Sequence, residues 1–210
     1  MNCLYDSRIH VFLQMKRSFD LICAIVGLIV LSPIFLLIAI GIKLDSRGPV
    51  FYRGVRIGLY GVPFRIFKFR TMQPDAELVG STSTGHNDPR ITPIGKWLRP
   101  LKLDELPQLI NVLRGEMSVV GPRPEVEEHT AAYSEEEKII LSVRPGITDY
   151  ASIHFYNLNE LVGSDDPRRV FIEKYRAEKN RLRVVYVRNH SFWIDLNLII
   201  RTIARMFSRY

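Results

Sequence analysis

Apolar residues along this chain follow three patterns. Residues 19–42 read FDLICAIVGLIVLSPIFLLIAIGI, apolar at nearly every position apart from Asp20. As a helix this run reaches roughly 36 Å at about 1.5 Å per residue, enough to cross a hydrocarbon core of about 30 Å. Residues 48–72, GPVFYRGVRIGLYGVPFRIFKFRTM, carry short aromatic and β-branched runs punctuated by glycine and proline, the pattern of short strands joined by turns. Further on, Leu106, Leu109, Ile110 and Leu113 form a stripe at helical spacing that predicts a helix beginning near Asp104, with Gly115 as its stop. Residues 73–90 read as a mobile polar loop, 125–142 as a polar helix, and 165–210 as helices whose last stretch is amphipathic, basic and aromatic. GPRPE (121–125) and VRPGIT (143–148) read as rigid turns. The expected class is α+β, divided into an N-terminal segment with its apolar helix (1–45) and a small mixed helical and β domain (46–210).

The apolar run does not read as a plain membrane span. Ser32-Pro33 interrupts it near the middle, where proline removes a donor and crowds the preceding turn. Its flanks are basic on both sides, with Lys16 and Arg17 before it and Lys43, Arg47, Arg53 and Arg56 after it, which by the positive-inside rule puts both ends in the cytoplasm. A helix that enters, breaks at Ser32-Pro33 and returns satisfies both observations; a kinked spanning helix satisfies the proline alone. A cleaved signal peptide fits poorly, because KLDSRGP follows and no small-residue cleavage site is evident.

Charge narrows the partners. The net charge of +7 favours anions, whether nucleic acid, lipid head groups or a phosphorylated substrate. The two cysteines, Cys3 and Cys23, form no metal or disulfide framework. No GxxxxGK[ST], HExxH or GxSxG occurs, and the histidines are scattered, which argues against a P-loop enzyme, a zinc protease or a serine hydrolase. The sharpest local feature is LDELPQL (103–109). If a helix starts there, Pro107 falls in its first turn and Asp104 near its N-terminus, where free amides favour an ionised carboxylate. Adjacent helical residues do not share a face, so Asp104 and Glu105 suggest two roles: one attacks phosphorus, the other holds a divalent cation against phosphate oxygens. The plainer alternative is an N-cap Asp with a first-turn Glu. Lys68, Arg70, Arg99, Arg123 and Arg144 lie in or beside stiff turns, where cationic side chains suit a diphosphate; a solvated basic surface facing acidic lipid is the alternative.

Together the stretches KRSFDLICAIVGLIVLSPIFLL, GPVFYRGVRIGLYGVPFRIFKFRTM, DPRITPIGKWLRPLKLDELPQLINVLRGEMSVVGPRPE and VRPGIT closely resemble, in order, the bacterial sugar transferase family of monotopic phosphoglycosyl transferases. The resemblance implies a membrane enzyme at the cytoplasmic face of the bacterial inner membrane that moves a phosphosugar from a UDP-sugar donor to the acceptor undecaprenyl phosphate, initiating polysaccharide or glycoconjugate assembly. Carried over by position, it makes Asp104 the nucleophile of an aspartyl-phosphosugar intermediate and Glu105 its partner near Mg2+. It places Arg70, Arg99 and Arg123 along the site, and makes Ser32 and Pro33 the break of a re-entrant helix. It also implies a cytoplasmic catalytic domain with interfacial amphipathic helices, and membrane lipids rather than nucleic acid as partners. The C-terminus offers a face to lipid or to a second copy in a homodimer, and the length and single apolar segment suggest a minimal catalytic unit. Two departures stand out. Lys102 replaces a small hydroxyl residue common in the family, and DYASIHFYNLNELV follows RPGIT where many members read GWAQxxGRN. The rival reading is a membrane-tethered basic module that binds anionic lipid or nucleic acid without catalysis; a further one is an inactive component of an assembly complex.

Overall fold

The computed structural model describes residues 2–74, 76, 88–156, 158 and 167–207. Helix α1 (Asn2–Asp45) is organised by two unlike faces. Asp20, Ala24, Ile38 and Ile42 are buried, with Leu28, Leu31 and Phe35 partly buried between them. This is one stripe at helical spacing that keeps its register across Pro33. The opposite face exposes Ile22, Ile25, Val26, Ile29, Val30, Ile34, Leu36, Leu37, Ile40 and Leu44. An apolar surface of that extent is unstable in water and suits hydrocarbon. From Gln14 to Asp45 the helix is long and apolar enough to cross a membrane.

The helix is continuous at Ser32-Pro33, where the sequence predicts a break. Pro33 has no N–H for the Ile29 carbonyl, and the Ser32 hydroxyl donates to that carbonyl instead at 2.8 Å. A side-chain bond thus replaces the lost backbone bond, and the helix carries its proline.

Four strands follow in two antiparallel pairs. β1 (Phe51–Tyr52) pairs with β4 (Lys68–Phe69), and β2 (Val55–Ile57) with β3 (Pro63–Arg65), which fulfils the expectation for residues 48–72. The polar loop expected at 73–90 lies largely outside the described residues. Next come α2 (Pro93–Leu98), a 3-10 turn (Leu103–Glu105) and α3 (Gln108–Leu113). The helix expected to begin near Asp104 is therefore divided: the carboxylates sit on the tight turn, and α3 starts only after Pro107. Gly115, at φ 81°, ends it as expected.

β5 (Ser118–Val120) pairs in parallel with β6 (Gly146–Thr148). Between them the polar helix expected over 125–142 is two short pieces, α4 (Glu127–Ala131) and a 3-10 segment (Glu137–Ser142). α5 (Tyr150–His154), α6 (Pro167–Val170), a π-helical turn (Phe171–Tyr175), α7 (Arg176–Asn189) and α8 (Phe192–Phe207) complete the order of the described elements. α8 buries Asp195 and Leu198 and exposes Trp193, Ile200 and Ile203, the two-faced character read from its sequence.

Polar residues inside the apolar helix tie α1 to this domain. Asp20 accepts from Ser118 Oγ and Val119 N, both at 3.0 Å. Arg17 donates to the Val112 and Leu113 carbonyls. Lys16 reaches the Val120 carbonyl and pairs with Asp195, which also accepts from the Tyr186 hydroxyl at 2.8 Å. At the far end Lys43 donates to Gly48 O at 2.9 Å, and Ile42 packs with Phe69 and Leu98. Both ends of the apolar stretch thus rest on the same domain.

The two rigid turns meet backbone to backbone. Gly121 N donates to Thr148 O and Gly146 N to Pro122 O, both at 2.9 Å. A Cβ on Gly146 would lie 2.0 Å from Gly121 N, far inside contact distance. Gly146→Ala is expected to destabilise the protein by about 3 kcal/mol or more, at the upper end of overpacking costs, measured by denaturant unfolding in detergent micelles.

Candidate active site

The site forms where the 3-10 turn, β4 and the GPRP turn converge. Thr92 caps α2, accepting from Gly95 N at 3.2 Å, and Pro93 opens the helix. Gly95 lies so close to the preceding segment that a Cβ there would stand 2.3 Å from Thr71 O. This approach brings Arg99, at the end of α2, back to Thr71 Oγ1 at 2.9 Å. Lys102 then takes a left-handed conformation, φ 55°, costly for a residue with a side chain. Through that bend the chain delivers Asp104 and Glu105, both buried, into the interior.

The two carboxylates have opposite surroundings. Glu105 Oε1 accepts from Lys68 Nζ at 3.0 Å, Oε2 accepts from Arg123 Nη1 at 2.7 Å, and Arg123 Nη2 also pairs with Oε1. This is a two-pronged guanidinium clamp with an ammonium alongside. Burial pushes the Glu105 carboxyl up, but Arg123 and Lys68 outweigh it and hold it well below the usual carboxylate range. Asp104 makes no hydrogen bond or ion pair among the described residues. Burial, and then the Glu105 charge, push its carboxyl up to about 6, against the offsetting charges of Lys68, Arg99 and Lys102. One carboxylate is held and the other is free.

Lys68, Arg99 and Arg123 therefore join Asp104 and Glu105, while Arg70 and Arg144 are placed elsewhere. Arg70 is buried and spends its guanidinium on Pro49 O, Ser46 Oγ and Ser46 O at 2.7–3.0 Å, closing the bend after α1. Arg144 donates to Gly115 O at 2.9 Å, at the far end of α3.

The sequence reading missed the residues that hold the site together. Asn111, fully buried, accepts from Phe67 N at 2.8 Å and donates to Arg65 O and Glu116, so it locks the approach to Lys68 onto α3. Glu125, beside the Arg123 turn, accepts from Arg183 and Lys179 of α7. Arg183 counts in the sequence as part of a basic stretch, and only its burial reveals an internal ion pair. For Asn111 the sequence offered no signal, since it lies off the stripe of Leu106, Leu109, Ile110 and Leu113.

A divalent cation fits part of this donor set. Among the described residues no group of three or more His, Cys, Asp or Glu gathers. Magnesium, however, commonly takes one or two carboxylates together with phosphate oxygens and water, and Asp104 has both oxygens uncommitted.

A free buried carboxylate beside a clamped one, ringed by cations and set at the foot of a two-faced apolar helix, defines a membrane-associated protein that handles anions. The chain belongs to the bacterial sugar transferase family, whose profile matches residues 11–209. It is 43% identical over 203 residues to an undecaprenyl-phosphate glucose phosphotransferase of Komagataeibacter xylinus, covering 92% of this chain and 36% of that protein. It is 38% identical to a UDP-glucose:undecaprenyl-phosphate glucose-1-phosphate transferase of Klebsiella pneumoniae, covering 97% and 43%. With the exopolysaccharide production protein ExoY of Rhizobium meliloti (strain 1021) it shares 40% identity, covering 90% and 83%. The chain thus spans less than half the length of the first two relatives.

The two carboxylates are expected to respond oppositely to neutralisation. Asp104→Asn removes a charge whose folded-state pKa lies above its unfolded value. Its stability advantage over wild type should therefore be absent below about pH 4 and grow to on the order of 2 kcal/mol by pH 7. Glu105→Gln leaves Lys68 and Arg123 uncompensated and should cost about 3 kcal/mol at pH 7. Unfolding midpoints between pH 4 and 7.5 check both signs.

Proposed function

We propose that this chain is a phosphoglycosyl transferase that moves a phosphosugar from a UDP-sugar to undecaprenyl phosphate, with Asp104 as the nucleophile. The observation that carries the reading is the unclamped, buried Asp104 carboxylate beside Glu105, which Lys68 and Arg123 hold. With a pKa near 6 it is mostly ionised at neutral pH, and having no hydrogen bond to surrender it is available to attack. The names of the relatives, which specify glucose-1-phosphate transfer to undecaprenyl phosphate, support the substrate class.

In the first step an Asp104 oxygen bonds to the β-phosphorus of the donor. The bond from that phosphorus to the bridging oxygen breaks, and UMP leaves with the oxygen. In the second step an oxygen of the polyprenyl phosphate attacks the same phosphorus, and the Asp104–phosphorus bond breaks. This gives a polyprenyl diphosphosugar and restores the carboxylate. Arg99 and Lys102 lie close enough to offset charge at Asp104 and to face the diphosphate. Glu105, fixed between Lys68 and Arg123, holds those two cations in place to stabilise the oxygens that gain charge. Asp104 and Glu105 are the residues that would hold Mg2+, which neutralises diphosphate charge when bound.

The membrane reading rests on α1. With both ends of its apolar stretch resting on one domain and basic residues at each flank, the continuous helix fits an anchor inserted from one side, at the cytoplasmic face of the inner membrane, with its exposed apolar face in the bilayer. A site beneath such a helix is reachable by a soluble donor and a lipid acceptor.

Mixing enzyme with UDP-glucose in the absence of acceptor should release UMP in a burst close to one equivalent, with label from the β-phosphate retained on the protein at residue 104. Asp104→Asn should abolish both, a loss of at least about a thousandfold. Full turnover by that variant would refute the mechanism.

A further inference from the structure

A side-chain amide sealed away from water without a partner costs free energy, so its presence needs a reason. Gln108, the first residue of α3, is wholly buried, yet neither its Oε1 nor its Nε2 has a hydrogen bond among the described residues. The path from the catalytic turn into α3 stays helical, since Leu106 and Pro107 both keep right-handed helical dihedrals. Asp104, Gln108 and Asn111 therefore recur at helical spacing, and all three are buried. Glu105, before Gln108 on this path, is held by Lys68 and Arg123. Asn111, after it, is bonded to Phe67 N, Arg65 O and Glu116. What remains on that face is one unpartnered amide and, a turn nearer the N-terminus, one unpartnered carboxylate. Their exposures order them in depth: Asp104 keeps 8% of its surface and Gln108 0%. Substrate reaches Asp104 first, and Gln108 lies behind it.

In the resting site the Asp104 charge is drawn by Lys68, Arg99 and Lys102. Bonding one carboxylate oxygen to phosphorus removes that charge, and with it the attraction. The other oxygen becomes the carbonyl of an acyl phosphate, and on its inner side Gln108 Nε2 is an N–H donor without a bond among the described residues. We infer that Gln108 donates to this carbonyl oxygen of the phosphosugar-aspartyl intermediate and stabilises the charge that returns to Asp104 when the acceptor discharges it. This rests on the transferase reading above and assigns Gln108 to its second half. In that step an oxygen of the polyprenyl phosphate bonds to phosphorus, the bond from phosphorus to Asp104 breaks, and the electron pair stays with the carboxylate. The amide keeps its protons throughout. It supplies a fixed dipole where negative charge develops, with no reorganisation during the step. The first half-reaction runs the other way, drawing charge out of the carboxylate, so a hydrogen bond to it gives no advantage there. A donor that serves only the second half is idle in the resting site, as Gln108 is.

The two halves can be timed separately on the purified protein in detergent micelles. UDP-glucose labelled in the β-phosphate, without acceptor, reports the first through UMP release and label on the protein. Saturating undecaprenyl phosphate then reports the second through loss of that label. Gln108→Met, which removes the amide from a side chain of similar length, should keep the UMP burst near one equivalent and its rate within about threefold of wild type. Discharge should slow about tenfold, the loss of one hydrogen bond to developing charge, with half-saturating acceptor changed less than about twofold. Gln108→Leu, of different shape, should do the same. The burst counts folded sites, so incomplete folding does not pass for slow discharge. The denaturant midpoint of Gln108→Met should equal or exceed that of wild type, because an unpaired amide gives way to an apolar group. Asn111→Leu, which strips the partners of Phe67 N and Arg65 O, should lower it. Unchanged discharge in both Gln108 variants overturns the inference. So does an equal slowing of both halves, or a midpoint for Gln108→Met as low as that of Asn111→Leu, since either makes the amide structural. A wild type that releases no UMP and takes up no label overturns the transferase reading together with this inference, whereas a normal wild-type burst with unchanged discharge in the variants overturns this inference alone.

Discussion

The clamp on Glu105 is the interaction on which the site depends. Two adjacent carboxylates buried in one turn repel each other, and burial alone would protonate both. Arg123 and Lys68 resolve the conflict on one side only, holding Glu105 ionised and leaving its charge to raise Asp104. The asymmetry yields one fixed anion and one available one. Much of the surrounding structure serves to deliver those two cations. β4 and its pairing with β1 carry Lys68, and Asn111 fastens the segment before it to α3. The glycine contact between the two proline-rich turns sets the backbone next to Arg123.

Behind the clamp lies a second ionic layer. Glu125 accepts from Lys179 and Arg183 and stacks its partner His129 on Phe171, joining the GPRP turn to α7. Burial opposes the charge on Glu125, and its two cations outweigh that opposition and keep the carboxyl well below its usual range. Buried ion pairs of this type contribute little net stability compared with apolar packing, but removing one partner is expensive. Their effect here is positional: they fix the direction from which Arg123 approaches.

α1 answers a different constraint, since the same helix must satisfy hydrocarbon and a polar domain. It does so by segregating its few polar residues. Lys16, Arg17 and Asp20 all turn toward β5, α3 and α8, and Lys43 caps the far end. An isolated carboxylate within an apolar run is a severe cost. Asp20 has the Ser118 hydroxyl, a main-chain amide and nearby Lys16 to answer it, so the one charge that looks out of place in the sequence is a docking point.

The sequence by itself determined the elements that depend on local pattern. These are the apolar run of residues 19–42, the short strands of residues 48–72, the stop at Gly115, the two-faced α8, and the stiff turns that carry Arg123 and Arg144; the break expected at Ser32-Pro33 is not among them. Each follows from hydrophobic period or from the restricted backbone of glycine and proline, properties local to a few residues. Tertiary structure decided what those residues meet. Arg70, Arg99, Arg123 and Arg144 look alike in sequence, each in or beside a stiff turn, yet Arg123 meets a carboxylate, Arg99 a threonine near the pair, and Arg70 and Arg144 main-chain carbonyls. Asp104 and Glu105 are likewise neighbours of the same charge, and nothing local distinguishes the free one from the clamped one. A side chain's charge is written in its identity, but its partner depends on which distant segment folds against it, and for Glu105 those segments lie 37 and 18 residues away.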